Sequence, residues 1–186
     1  MKYNLEFIIQ QYKQGNRLKY VFFWGDTERD NEVTKACLSQ WYPSMFTVDG
    51  TMYKTAEQYM MAQKALLFHD RAVYEEIMAA KHPRQCKALG QKVQHFSQTV
   101  WDENKFQIVV DGNIAKFSQN PQLQEFLMRT GDRVLVEASP YDKIWGIGMA
   151  ENNEKVDNPL EWNGQNLLGF ALMEVRDRLK GDKPEK

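Results

Sequence analysis

The sequence predicts an α+β fold dominated by helices, with a few short strands. Helical periodicity fills most of the chain beyond Thr55, while only three or four runs read as strands. Strands and helices do not alternate regularly, and no Gly-x-Gly-x-x-Gly is present, which argues against a doubly wound nucleotide-binding domain.

In chain order, Met1 to Arg17 carries Leu5, Ile8, Ile9 and Tyr12 at the spacing of a short amphipathic helix. Tyr20-Val21-Phe22-Phe23-Trp24-Gly25 reads as a strand, being aromatic and β-branched and closed by glycine. Asp26 to Lys35 is a charged loop, and Leu38 to Pro43 an aromatic loop stiffened by proline. Phe46-Thr47-Val48 and Thr51-Met52-Tyr53 flank Asp49-Gly50, the signature of a two-residue hairpin turn. Thr55-x-x-Gln58 forms a capping box, so a helix begins just after Thr55.

Further helices are expected over Ala72 to Ala80, from Pro83 through Val93, and from Thr99 through Phe117. The third of these keeps a helical period in Trp101, Phe106, Ile108, Val109, Ile114 and Phe117. Asn120-Pro121 starts another helix, which Gly131 stops. Arg133 to Ala138 reads as a strand, Ser139 to Gly148 as a turn-rich loop, and Leu167 to Leu179 as an amphipathic helix. One compact domain over 19–180 is expected, preceded by an extension, 1–18, packed on it and followed by a charged tail, 181–186.

Composition narrows the function. The 186 residues hold 24 Lys+Arg against 25 Asp+Glu, a balance unsuited to gripping nucleic acid mainly through phosphates. Cys37 and Cys86 are too few for a disulfide framework or a Cys-rich metal site. His69, His82 and His95 lack ligand spacing, so no metal and no cofactor is expected. With no signal peptide and no apolar run able to span a bilayer, a soluble cytoplasmic protein is expected.

Three places combine acids with aromatics. Glu57 lies on the helix after Thr55, which is apolar on nearly every side, and a carboxylate carried into such surroundings needs a partner or a task. An acid in a first helical turn also suits the helix dipole, so position alone leaves both roles open. Lys64 follows on the same face about two turns later. Trp101-Asp102-Glu103 opens a helix, where Trp101 offers either a ring face or core packing. Tyr141-Asp142-Lys143-Ile144-Trp145-Gly146 sets an acid among aromatics in a loop, although Asp142 could equally bond its own backbone. Two carboxylates and an aromatic shelf suit cleavage of a glycosidic bond. Lys116 and Lys143 could meet a phosphate, yet an exposed lysine usually meets only water.

Several stretches together resemble the YbiA-like or NADAR family. They are Thr55 to Ala65, Lys87-Ala88-Leu89-Gly90, Lys116 to Asn120, Thr130-Gly131, Glu137 to Gly148 and Asn166 to Arg176. The likeness runs from about Phe22 to Leu179. It departs at Gln91, where arginine is common in the family, and at Gln40-Trp41, where the family usually has Asn-Phe. The resemblance implies a YbiA-like fold and an N-glycosidase that hydrolyses the ribose–amine bond of phosphorylated amino-pyrimidine intermediates of riboflavin synthesis. Other members remove ADP-ribose from guanine bases, so that substrate is the alternative; a non-catalytic nucleotide-binding module is the third. The family's glutamate, tryptophan and aspartate fall on Glu57, Trp101 and Asp142, with Trp24, Tyr141, Trp145, Lys64 and Lys116 as substrate-binding candidates. The expected partner is a small phosphoribosyl-aminopyrimidine or an ADP-ribosylated guanine, with no membrane partner and nucleic acid only as a modified substrate.

Overall fold

The computed structural model describes residues 1–27 and 32–181. Part of the predicted charged loop and nearly all of the charged tail therefore lie outside the described residues. In order come α1 (Leu5–Lys13), β1 (Tyr20–Phe23), β2 (Phe46–Val48), β3 (Thr51–Tyr53) and α2 (Ala56–Leu67). They are followed by α3 (Arg71–Ala79), α4 (Pro83–Gly90), α5 (Gln98–Gln119), α6 (Pro121–Arg129), β4 (Val134–Glu137) and α7 (Leu167–Gly181). Short 3-10 turns at Lys35–Leu38 and Pro159–Glu161 complete the described elements. The fold is α+β with helices dominant, as the periodicity indicates.

The described residues form two compact units, one from 1–27, 32–39 and 122–181, the other from 40–121. In the first, β1 and β4 pair in parallel, with Tyr20 opposite Val134 and Phe23 opposite Glu137. Helix α7 packs on β4. Asn166 joins them: its Nδ2 donates to Leu135 O at 2.9 Å, and its Oδ1 accepts from Glu137 N at 3.0 Å. An asparagine at φ 55° thus does the work of a neighbouring strand. Gly169, one turn on, has no room for a side chain, because a Cβ there would strike Leu135 O. Arg176, also buried, donates to Thr130 Oγ1 at 2.8 Å and to Arg133 O at 3.0 Å. The segment before β1 is tied by Lys2 and Tyr3, which both bond Asp177 Oδ2, at 2.5 and 2.7 Å.

In the second unit, α2 is the central element and packs against α3, α4 and α5. The β2–β3 hairpin turns at Asp49 (φ 48°) and Gly50 (φ 75°), both left-handed as a type I′ turn requires. Phe46, Tyr53 and Tyr59 form a ring cluster at centroid distances of 5.0 to 6.0 Å. Burial of Tyr59 pushes its hydroxyl up to about 12. Helix α5 approaches α2 closely through Gly112, where a Cβ would strike the Tyr59 ring.

The expected α2 cap is present with one change. Thr55 Oγ1 accepts from Gln58 N at 3.1 Å, but the Gln58 side chain reaches one residue further back, to Lys54 N at 2.8 Å. Helix α4 ends at Gly90 rather than Val93. On α5 the apolar period is only partly inside, with Trp101, Val109 and Phe117 buried. Phe106, Ile108 and Ile114 are only half-buried, while Lys105, Gly112, Asn113 and Lys116 are buried.

Candidate active site

The structure distributes the candidate residues between the two units: Glu57, Lys64, Trp101 and Lys116 in one, Trp24, Tyr141, Asp142 and Trp145 in the other. Each unit is built by different local means.

Glu57 occupies the first turn of α2 and is only 3% exposed. Its backbone N–H has no partner inside the helix and donates instead to Gln40 O at 2.9 Å. The Cys86 thiol registers the Glu57 carboxylate. Burial pushes that thiol up to about 11, and the negative charge of Glu57 adds to the shift. An acid held in these surroundings can stabilise positive charge or orient water.

Lys64 is half-buried. Its Nζ donates to Gly90 O at 2.7 Å, in the last turn of α4, and lies 4.3 Å from the Phe96 ring centroid and 5.4 Å from that of Trp101. A helix C-terminus and two ring faces all favour a cation there. Desolvation lowers the Lys64 pKa from its ordinary value. Trp101 itself is buried at the start of α5, so it packs in the core, and its ring faces the Lys64 ammonium. Its neighbour Asp102 is paired with Lys105 and accepts from Gln98 Nε2 at 2.9 Å, and these bonds hold its carboxyl below the usual range.

Lys116 departs most from the exposed-lysine expectation. It is 0% exposed, with Nζ 5.7 Å from the Tyr42 ring centroid and 5.1 Å from that of Phe117. Asn113, not singled out in the sequence, and Gln40, noted there only as a departure from the family pattern, are buried and joined by Asn113 Nδ2 donating to Gln40 Oε1 at 2.8 Å. The available signal was an asparagine one helical turn after Val109, on the same face of α5.

In the other unit, Asp142 sits in the loop after β4. Its Oδ1 accepts from Ile144 N at 2.9 Å and from Trp145 N at 2.8 Å, so it does bond its own backbone. Ser139 Oγ accepts from Asp142 N at 3.2 Å and from Tyr141 N at 3.4 Å. Gly148, at φ 62°, donates to Asp142 O at 3.1 Å and closes the turn. The structure brings Trp24 and Tyr141 together, with centroids 6.2 Å apart and tilted by 57°. They are open rings, 55% and 85% exposed. Trp145 is half-buried beside Asp142 in the same loop.

Among the described residues, no three His, Cys, Asp or Glu side chains gather as a metal ion would need. No described helix is long and apolar enough to cross a membrane.

With this geometry in view, comparison with known proteins decides the family. The NADAR domain matches residues 22–180. The chain belongs to the NADAR domain family. It is 45% identical over 164 residues to an N-glycosidase of Acanthamoeba polyphaga mimivirus, covering 86% of this chain and 95% of that protein. It is 31% identical over 147 residues to a riboflavin biosynthesis protein of Vibrio vulnificus, covering 79% of this chain and 36% of that one. The NMR structure of the E. coli protein YbiA superposes with a TM-score of 0.71 at 26% identity, covering 90% of each chain. This NADAR protein is an enzyme of the N-glycosidase class.

Proposed function

We propose that this NADAR protein hydrolyses the C1′–N bond between ribose and the amine of a phosphorylated amino-pyrimidine. The observation that carries the reading is the Glu57 carboxylate, 3% exposed on a capped helix in a chain 45% identical to an N-glycosidase. The name of the Vibrio vulnificus relative supports a substrate from riboflavin synthesis.

In the proposed reaction the C1′–N bond breaks and its electron pair leaves with the amine. Positive charge grows on C1′ and the ring oxygen, and a carboxylate near that centre lowers the barrier. Glu57 orients the water that forms the new C1′–O bond and steadies the cationic sugar. Asp142 supplies or relays the proton that the departing amine takes up. Its Oδ1 accepts from two backbone amides, which fix the orientation of the carboxyl group in the loop. Trp101 stacks on the pyrimidine, Trp24, Tyr141 and Trp145 offer further ring surface, and Lys64 and Lys116 are the cations proposed to offset substrate charge.

The test is mass spectrometry of the protein incubated with a panel of ribosylated bases. The expected result is free aminopyrimidine and ribose 5-phosphate from the phosphoribosyl-aminopyrimidine. Release of base only from ADP-ribosylated guanine would move the substrate to the other branch of the family. Tight binding without product from any member of the panel would contradict hydrolysis altogether.

A further inference from the structure

We infer that Gln40 and Asn113 are positioning residues for Glu57, acting through the backbone of α2. The inference rests on the reading of Glu57 as the working acid. Three bonds in series carry it. Asn113 Nδ2 donates to Val109 O at 2.8 Å, which fixes the amide against its own helix. The same Nδ2 donates to Gln40 Oε1 at 2.8 Å. Gln40 O then accepts from Glu57 N at 2.9 Å, filling one of the four N–H groups that the start of a helix leaves unsatisfied. Asn113 thus sets the place of Gln40, and Gln40 sets the pitch of the first turn that carries the carboxylate.

A pair serving only stability would not be built this way. Asn113 is 0% and Gln40 7% exposed, yet Asn113 Oδ1 and Gln40 Nε2 meet no hydrogen-bond partner among the described residues. A buried donor and acceptor left unmatched lower stability, and apolar side chains of similar shape would fill the same space without that cost. What the two amides provide that apolar side chains cannot is a directional link from α5 to the Glu57 turn. Small displacements of a reacting group suffice to slow catalysis strongly.

The experiment compares Asn113→Leu and Gln40→Met with Val109→Ala, a buried change on α5 that leaves all three bonds available. In the first two variants kcat is expected to fall about tenfold or more, with KM within about threefold of native. Hydrogen exchange at the Glu57 amide is expected to speed up at least about tenfold, while the Ala62 and Ala65 amides further along α2 keep their protection. Val109→Ala is expected to keep kcat within about twofold. Asn113→Leu and Gln40→Met remove the link from opposite ends, so failure of one to fold leaves the other as the test. Native kcat in the folded variants, or an equal loss in Val109→Ala, overturns the inference. Glu57→Gln, measured alongside, separates the two levels: full turnover in that variant overturns the role of the acid, whereas the exchange rate of the Glu57 amide still reads the link itself.

Discussion

Helix α2 and the loop 139–148 each hold a proposed catalytic acid, but by opposite means. Glu57 is enclosed by α2 and its neighbours, with its amide donating to Gln40 and its turn capped by Thr55. Asp142 is partly exposed and held by a local turn, two backbone amides on one carboxylate oxygen and Ser139 on its own amide. The first arrangement removes water from around a charge, which strengthens every electrostatic interaction it makes. The second keeps a carboxylate accessible to solvent and so able to exchange protons. The division of labour proposed above assigns the sugar charge to the enclosed acid and the proton to the open one.

Substitutions can break that comparison. Replacing Glu57 by Gln removes the charge while keeping the shape, and turnover is expected to fall about 1,000-fold with the melting temperature held or raised. Calorimetry and a product assay on one preparation check both. Asp142→Asn keeps an oxygen for the Ile144 and Trp145 amides, so the loop should survive; the expected loss is about 100-fold in kcat. A larger loss there than in Glu57→Gln would reverse the assignment of roles. Tyr141→Ala removes an open ring and should raise KM about tenfold with kcat nearly unchanged, measured by initial rates over a substrate series.

The smallest expected effect concerns stability. Asp70 caps α3 through Val73 N at 3.1 Å and accepts from Gln94 N at 2.8 Å. These bonds, the Gln94 amide first, hold its carboxyl below the usual range. A folded pKa below the unfolded one means that its contribution is full above about pH 4 and is lost as pH falls through the folded value. Asp70→Asn should therefore melt a few degrees lower at neutral pH, and the gap to native should close in acid. A gap that persists unchanged in acid would contradict the ionic origin of the effect.

Much of the fold was legible because it is local. The Asp49-Gly50 turn, the Thr55 cap and the Pro83 and Pro121 helix starts each need only a few neighbouring residues. The parallel pairing of β1 with β4 was not legible, since more than a hundred residues separate the strands and neither carries a mark of its partner. The buried face of α5 was only partly legible, for a more instructive reason. Of the apolar period, Trp101, Val109 and Phe117 are buried, but Phe106, Ile108 and Ile114 are only half-buried, and Lys105, Asn113 and Lys116 share the interior with the first three. Polar side chains kept in an interior contradict the local rule, and such contradictions gather at functional positions. The same logic made Glu57 conspicuous in the sequence, because most residues around it on α2 say core. Asp142 gave no comparable signal. An acid among loop glycines reads as a turn, and a turn is one of the things it is.

The most direct test of the central claim is to mix Glu57→Gln with the phosphoribosyl-aminopyrimidine and follow the complex by native mass spectrometry. The account predicts substrate bound intact over a period in which the unaltered enzyme releases free aminopyrimidine and ribose 5-phosphate. Release of both products by the variant at the unaltered rate would contradict it.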